Sequence, residues 1–255
     1  MDSSIAIWVP WMRRALQLAA LAEGETSPNP LVGAVVLEGS GGLVGEGFHP
    51  RAGDPHAEIC ALRQAGVKAR GGTLVVTLEP CCHEGLTPPC TDAVLESGVS
   101  RVVVALKDPD PRVSGAGLSC LIEAGIEVID GVLEAEAAYQ NRAYVFRVTT
   151  GRPWGILKWA MSMDGRTALA NGSSQWISNP QSRRWVYSIR GKCDAVIVGG
   201  GTVRADNPLL TSRGLSNPEP LRVVFTRSLD LPRESQLWDT SVAKTLIAYG
   251  SCSER

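Results

Sequence analysis

The chain has 255 residues, 44% of them hydrophobic and 20% charged, so it can bury a sizeable core and is too long for a peptide or a lone small module. Twenty-five Lys and Arg against 26 Asp and Glu give a net charge of −1, which provides no electrostatic footprint for nucleic acid or an anionic membrane. At roughly 150 residues per domain, one large or two small domains are expected.

The first half of the sequence alternates helix and strand signals. Apolar residues at helical spacing predict helices, and short apolar runs rich in β-branched residues predict strands. In chain order the predictions are a helix over 11–22, a hairpin of strands 31–37 and 43–48, a helix over 55–64, a strand over 73–78, a helix over 90–97, a strand over 101–106, a helix over 118–124, a strand over 126–129 and a helix over 134–147. Helical crossovers between strands imply a largely parallel sheet with the antiparallel hairpin at one edge.

The second half repeats the α/β pattern after a break. Residues 149–153 (TTGRP) are the most linker-like stretch, which predicts domains over 1–148 and 149–255. Beyond the linker the predictions are a strand over 154–161, a helix over 180–192, a strand over 195–198 followed by three glycines, and strands over 221–226 and 245–249. The chain as a whole is therefore predicted to be α/β.

The most informative residues are His56, Cys81 and Cys90. One imidazole and two thiolates are ligands that Zn²⁺ prefers, and three protein ligands leave a coordination position for water, as in catalytic zinc sites. Glu58 lies two residues from His56 without being a ligand, which suits a carboxylate that takes a proton from water and returns it to a leaving amine. Because the H-x-E pattern with two later cysteines is typical of zinc deaminases, the sequence favours hydrolytic deamination.

Two other interpretations of these residues remain open. In the first, Cys82 or His83 supplies a fourth ligand, the site is a closed structural zinc site, and Glu58 is a surface charge. In the second, the cysteines are unrelated buried residues.

Four stretches resemble the deaminase half of the bifunctional deaminase/reductases of riboflavin biosynthesis. They are NPLVGA at 29–34, GFH at 47–49, HAE at 56–58 and LEPCCHEGLTPPC at 78–90. The resemblance implies a three-layer cytidine-deaminase-like domain that hydrolyses the pyrimidine amine of 2,5-diamino-6-ribosylamino-4(3H)-pyrimidinone 5′-phosphate. It also implies that zinc binds His56, Cys81 and Cys90, that Glu58 carries the proton, and that the substrate contacts Asn29, His49 and His83.

The chain departs from this family pattern at two positions. Leu86 stands where the family usually has Arg or Lys, and Asp110 stands where Asn is usual. If the family cation holds the substrate phosphate, its loss weakens binding by roughly 1.5–3 kcal/mol unless Arg51 or Lys107 substitutes.

Three later stretches, 158–168, 174–178 and 199–211, resemble the opening of the family's reductase domain. The resemblance implies a dihydrofolate-reductase-like α/β fold that uses NADPH. It implies cofactor contacts from Ala160, Trp176, Thr202 and Asp206, and substrate contacts from Ser174, Arg190, Leu210 and Arg213. Because the family's reductase continues beyond the point that matches Arg255, we expect a partial domain with an open sheet edge and weak or absent reductase activity.

The remaining expectations concern location, partners and other functions. The apolar opening at 5–9 precedes Arg13 and Arg14, the reverse of a secretory signal, and no apolar run approaches the roughly 18 residues of a membrane span, so we expect a cytoplasmic protein. Its expected partner is a small phosphorylated pyrimidine, with no nucleic acid and no membrane, and the resembling family favours a homo-oligomer. The alternatives are a zinc deaminase of another nucleobase or nucleotide, and a non-catalytic zinc-stabilised scaffold.

Overall fold

The computed structural model describes residues 3–83, 88–111 and 113–250. The chain divides into two compact units, Met1–Gly155 and Ile156–Arg255, called here the N-terminal and C-terminal units. The helix expected to end at 147 continues to Thr150, so the structural division falls later than the predicted one at 148/149. Leu86, one of the two departures from the family pattern, lies outside the described residues.

The N-terminal unit is built on a five-stranded mixed sheet with the order β2-β1-β3-β4-β5. Its strands are β1 (Gly33–Leu37), β2 (Leu43–Phe48), β3 (Thr73–Leu78), β4 (Arg101–Leu106) and β5 (Glu127–Ile129). Its helices are α1 (Ser3–Ala6), α2 (Val9–Ala20), α3 (Ala57–Ala65), α4 (Cys90–Ser97), α5 (Ala116–Glu123), α6 (Glu134–Gln140) and α7 (Arg142–Thr150). β1 runs antiparallel to β2 and β3, while β3, β4 and β5 are parallel, which confirms the predicted parallel sheet with a hairpin at its edge.

Helices cover both faces of this sheet, and glycines allow the close approach. A Cβ atom added at Gly33 in β1 would lie 2.0 Å from the backbone oxygen of Ala15 in α2. A Cβ atom added at Gly47 in β2 would lie 2.6 Å from backbone atoms of α3. Gly47 pairs with Ala34, and Ala34 points to the opposite face from Gly33 because side chains alternate along a strand. α2 and α3 therefore pack on opposite faces, and the unit has three layers.

Gly33→Ala is expected to destabilise the protein by about 3 kcal/mol, because the new methyl group meets backbone that cannot rotate away. Gly39→Ala is the matched control, since its nearest neighbour is a backbone oxygen at 3.6 Å. Urea unfolding of the two variants measures the difference. Equal midpoints for both variants would contradict the close packing of α2 on β1.

The carboxyl ends of β3 and β4 carry the loops that matter for the site. Both strands are apolar and buried on both faces, as is typical of parallel strands in the middle of a three-layer unit. Because the strands are parallel, the segment that begins at Glu79 after β3 and the segment that begins at Lys107 after β4 leave the sheet at the same edge. Two separate stretches of chain are thereby brought together at that edge.

The C-terminal unit has a smaller sheet of three parallel strands with the order β6-β7-β8. Its elements are α8 (Pro180–Arg190), β6 (Ala195–Gly199), α9 (Gly200–Asp206), β7 (Leu221–Thr226) and β8 (Thr245–Tyr249). Its buried cluster consists of Val203, Leu210, Val224 and Leu237. Arg222 in β7 is fully buried and donates to four backbone carbonyls over residues 236–243, so it anchors this segment to the central strand.

The predicted strand over 154–161 is wrong. This stretch has no regular secondary structure, and the side chains of Leu157 and Trp159 are 83% and 60% exposed. A β-strand needs a neighbouring strand to satisfy its backbone groups, and in the described part of the chain no strand pairs with these residues. The strand propensity of these residues alone therefore did not suffice to make them a β-strand.

A search of the described residues for membrane spans finds no helix with the length and apolar character needed to cross a bilayer.

Candidate active site

The three residues predicted to hold a metal converge at the carboxyl edge of the N-terminal sheet. His56 is the N-cap of α3, Cys81 follows β3, and Cys90 is the first residue of α4. The Nδ1 atom of His56 lies 3.0 Å from the Cys90 sulfur and 3.6 Å from the Cys81 sulfur. All three ligand atoms lie within 4.8 Å of one another. Tetrahedral Zn²⁺ with ordinary bond lengths places nitrogen and sulfur ligands about 3.6 Å apart, so the three residues fit a shared zinc ion.

The electrostatics of the cluster centre on a thiolate at Cys81. A hydrogen bond with the Cys90 thiol lowers the pKa of Cys81 to about 4, and the same contact together with burial raises the pKa of Cys90. A hydrogen bond with Cys81 raises the pKa of His56. The backbone N–H of Cys90, at the first turn of α4, donates to the Cys81 sulfur at 3.3 Å, as expected where a helix N-terminus faces a thiolate.

Glu58 lies in the first turn of α3 and is 3% exposed. Burial raises the pKa of Glu58 to about 7. Its Oε2 atom is buried and has no hydrogen-bond partner among the described residues. A carboxyl group that titrates near neutral pH can both accept and return a proton, and an unsatisfied buried oxygen is costly unless a ligand or water meets it. These features separate Glu58 from an ordinary surface glutamate.

Asn29 and His49 form a second pair beside the cluster. The Asn29 side-chain nitrogen lies 3.0 Å from Nε2 of His49, and Nδ1 of His49 lies 3.2 Å from the backbone oxygen of Pro55. The carbonyl oxygen can only accept, so Nδ1 of His49 carries the proton and Nε2 accepts from the Asn29 amide. Burial lowers the pKa of His49, which favours this neutral form. The His49 ring meets the His56 ring edge to face, with centroids 5.2 Å apart, so the pair adjoins the metal cluster.

Glu79 anchors the loop that follows β4. Its buried carboxylate accepts backbone hydrogen bonds from four residues at 2.9–3.3 Å. The donors are Asp108, Gly115, Gly117 and Leu118. Because Glu79 is two residues before Cys81, this loop is tied directly to the metal-binding segment. This role of Glu79 was not predicted from the sequence, although a carboxylate directly after a mainly apolar strand was a signal for it.

Cys82 and His83 bear on whether the zinc site is open or is closed by a fourth protein ligand. Among the residues that the structure describes, the group that could hold a metal contains His56, Cys81 and Cys90, and not Cys82 or His83. His83 is exposed and directly precedes residues outside the described part of the chain. Its predicted contact with the substrate stays a prediction.

In the C-terminal unit, three of the predicted reductase residues lie close together. Arg190 donates to the Thr211 carbonyl, and the guanidinium groups of Arg190 and Arg213 lie 5.8 and 5.7 Å from the Tyr187 ring centroid. Leu210 is adjacent in sequence to Thr211, but its side chain is buried in the core, so a ligand could reach only its backbone.

The predicted NADPH residues are spread over several segments. Thr202 and Asp206 lie on α9, while Ala160 lies in an irregular segment. Ser174, which is predicted to contact the substrate, also lies in an irregular segment. The Trp176 ring is 65% exposed and carries the Arg183 guanidinium 4.4 Å from its centroid. Beside α9, a shallow cleft of 410 Å³ is lined by Gly200, Gly201, Arg204, Phe225, Thr226 and Arg227.

Comparisons with known proteins match both units. The family model described as "Cytidine and deoxycytidylate deaminase zinc-binding region" matches residues 9–106, and the one described as "RibD C-terminal domain" matches residues 153–255. The riboflavin biosynthesis protein RibD of Synechocystis is 54% identical over 244 residues, which cover 96% of this chain and 66% of that protein. The RibD protein of Aquifex aeolicus is 47% identical over 238 residues, which cover 93% of this chain and 67% of that protein. The chain belongs to the RibD family.

Solved structures of RibD proteins agree with this assignment. Acinetobacter baumannii RibD superimposes with a TM-score of 0.89 at 43% identity and covers 96% of this chain and 70% of its own. A diaminohydroxyphosphoribosylaminopyrimidine deaminase/5-amino-6-(5-phosphoribosylamino)uracil reductase of Thermotoga maritima superimposes with a TM-score of 0.91 at 41% identity, over 99% of this chain and 72% of its own. The expected family and the expected order of a cytidine-deaminase-like domain before a RibD C-terminal domain are confirmed.

The chain matches only part of each curated relative. It spans about two thirds of the Synechocystis and Aquifex proteins and 58% of the Escherichia coli protein. The zinc-binding region lies wholly within the N-terminal unit, which supports the expected zinc site on His56, Cys81 and Cys90.

Proposed function

We propose that the N-terminal unit hydrolyses the pyrimidine amine of 2,5-diamino-6-ribosylamino-4(3H)-pyrimidinone 5′-phosphate and releases ammonia. The observation that carries the proposal is the convergence of His56, Cys81 and Cys90 with the buried carboxyl group of Glu58 beside them. RibD relatives are named for riboflavin biosynthesis, and the Thermotoga relative is named as a deaminase of this substrate class. We assign the deaminase activity named for that relative to this chain.

The residues divide the work of deamination between them. His56, Cys81 and Cys90 would hold the zinc ion, which would supply Lewis-acid activation of water. Glu58 accepts a proton at its carboxylate and then donates it to the departing amine, so one group serves both transfers. Its first-turn position on α3, two residues after His56, places the proton carrier next to the metal-binding atoms.

Substrate recognition is proposed for Asn29, which His49 orients. The hydrogen bond to His49 uses the NH₂ group of the Asn29 amide, so its carbonyl oxygen is the atom that can accept from a substrate amine. For the phosphate, the two candidate cations differ in their surroundings. The Arg51 guanidinium already pairs with Asp54 at 3.6 Å, whereas Lys107 is exposed on the loop after β4, at the edge that carries the cluster. Lys107 is therefore the better candidate to compensate for Leu86.

Ammonia release by the zinc-loaded protein tests the proposal. The probes are the phosphorylated diaminopyrimidine, its dephosphorylated form, cytidine and guanine, each followed by coupled ammonia detection. We expect the highest kcat/KM for the phosphorylated compound. Faster release from another base would favour a deaminase of different specificity. Zinc binding without release from any probe would favour a non-catalytic scaffold.

For the C-terminal unit we propose an NADPH-dependent reductase domain, with little activity in this polypeptide. Cofactor pockets are concave and enclose most of the ligand, but Trp176 is 65% exposed and the apolar side chains of Ile197 and Leu246 are 59% and 51% exposed. We expect NADPH oxidation, followed by absorbance with the deamination product as substrate, to be at least about 100-fold slower than ammonia release. Comparable rates for the two reactions would contradict this expectation.

The proposal extends to location and assembly. A small phosphorylated pyrimidine is a metabolite of the cytoplasm, where we place the protein. The exposed apolar side chains of the C-terminal unit also support a homo-oligomer, which light scattering of the purified chain can measure.

A further inference from the structure

One side of α7 carries three polar groups that the proposed chemistry does not use. Asn141 precedes the helix, and Tyr144 and Arg147 follow at intervals of three, so they lie on neighbouring parts of one helical face. The Arg147 guanidinium lies 5.6 Å from the Tyr144 ring centroid, which shows that these two side chains adjoin. We call Asn141, Tyr144 and Arg147 the polar face of α7.

This face holds the loop that contains Asn29. The side-chain amide of Asn141, which is 3% exposed, accepts from the Leu31 N–H at 2.8 Å and donates to the Leu31 carbonyl at 2.8 Å. Arg147 donates to the Pro28 carbonyl at 2.8 Å. Residues on both sides of Asn29 are therefore bound by groups more than 100 positions away in sequence.

The same face holds the loop after β4. The Tyr144 hydroxyl donates to the Asp108 carboxylate, with oxygen–oxygen distances of 3.0 and 3.2 Å. Asp108 is 8% exposed, and its Oδ1 atom also accepts from the backbone N–H of Asp110 at 2.9 Å. Tyr144 thus supports a buried carboxylate that shapes this loop, and a hydrogen bond to such a group is stronger than one between neutral partners.

Each of the two loops leads to the metal cluster through one further contact. Asn29 is hydrogen-bonded to His49, whose ring packs on His56. The Asp108 N–H donates to Glu79, two residues before Cys81. A single short helix therefore contacts both segments that border the cluster, although none of its residues belongs to the cluster.

We propose that the polar face of α7 is a positioning element that fixes the 28–31 and 108–110 loops beside the deaminase site and so sets substrate affinity. The expected change in KM rests on the proposed function, whereas the expected change in amide protection of the two loops does not. Asn141, Tyr144 and Arg147 act through Asn29 and the 108–110 loop, so they are positioning residues. Their loss is expected to change KM more than kcat and to leave zinc content unchanged.

Two conservative variants test the contacts of α7 with the two loops separately. Tyr144→Phe removes one hydroxyl and is expected to speed amide hydrogen exchange in the peptide 107–118, while the peptide 26–33 stays protected. Arg147→Met removes the donor to Pro28 and is expected to do the reverse, and Arg147→Lys should restore part of the protection. In each case we expect KM for ammonia release to rise roughly three- to ten-fold, with kcat changed less than two-fold. This is less than the roughly 10- to 150-fold cost of a charge-assisted hydrogen bond lost from the substrate itself, because these residues act only through the loops.

Arg142→Met is the matched control. Arg142 lies on the same helix, but its guanidinium donates to the Tyr139 carbonyl and stacks on the Tyr139 ring, away from both loops. We expect this variant to match the parent protein in both peptides and in KM. Unchanged exchange in the loops of Tyr144→Phe and Arg147→Met, or the same increase in all three variants, would overturn the proposal. If the parent releases no ammonia, the proposed function fails, and the exchange measurements alone decide the positioning role.

Discussion

Replacing Glu58 by glutamine is expected to reduce ammonia release by roughly 10²–10⁴-fold while the protein keeps its zinc. Glutamine has nearly the same shape as glutamate but cannot accept and return a proton. The side chain is buried and has a pKa near 7, so a neutral amide fits the same position without a charge being lost from a salt bridge. Zinc is measured by mass spectrometry and turnover by coupled ammonia detection on the same preparation.

The matched control for this variant is Glu96→Gln, an exposed position on α4. It makes the same chemical change on the surface of the same unit, and we expect it to leave turnover unaltered. If Glu58→Gln retained both zinc and turnover, Glu58 would not be the proton carrier. Zinc loss in Glu58→Gln would instead show that this carboxylate helps to bind the metal.

Replacing Cys81 by serine is expected to weaken zinc binding by more than about 100-fold and to remove ammonia release with it. Loss of groups that only orient zinc ligands costs about 10–100-fold in metal affinity, and a direct ligand should cost more. The Cys81 sulfur is the thiolate of the cluster, with its pKa lowered to about 4, and serine offers no comparable anion. Competition with a chromogenic chelator measures the affinity.

Cys82→Ser is the control that the chain itself offers. Cys82 adjoins Cys81 in sequence but does not belong to the metal-binding group found among the described residues. We expect this variant to keep its zinc and its turnover, as an open three-ligand site requires. Equal loss of zinc in Cys81→Ser and Cys82→Ser would support the closed four-ligand site, in which water has no place.

Local sequence patterns were sufficient for most elements of the N-terminal unit. Strands β3 and β4 and helix α4 have the predicted bounds, since uninterrupted β-branched runs and a Pro-Pro-Cys helix start are strong local signals. The predicted helix over 134–147 is instead two helices, α6 and α7, that meet at Asn141. The break allows the Asn141 amide to bind the Leu31 backbone, a contact between distant residues that no local pattern indicates.

The candidate zinc ligands His56, Cys81 and Cys90 could be predicted from the sequence because residue type and spacing carry their chemistry, and the structure brings the three together. The positioning residues were not predicted, since Glu79, Tyr144 and Asn141 are common residue types whose roles depend on which backbone groups they meet. At residues 154–161 the sequence instead predicted a feature that the structure lacks. These residues have the composition of a strand but no neighbouring strand in the described chain.

The amino-acid sequence by itself predicted the family, which the comparisons confirm, and the candidate metal ligands and proton carrier, because these depend on the chemical identity of a few side chains. The tertiary structure alone decided which loops α7 binds and whether an apolar stretch becomes a strand. Those outcomes depend on pairing and packing between residues far apart in the chain, and such interactions leave no local trace.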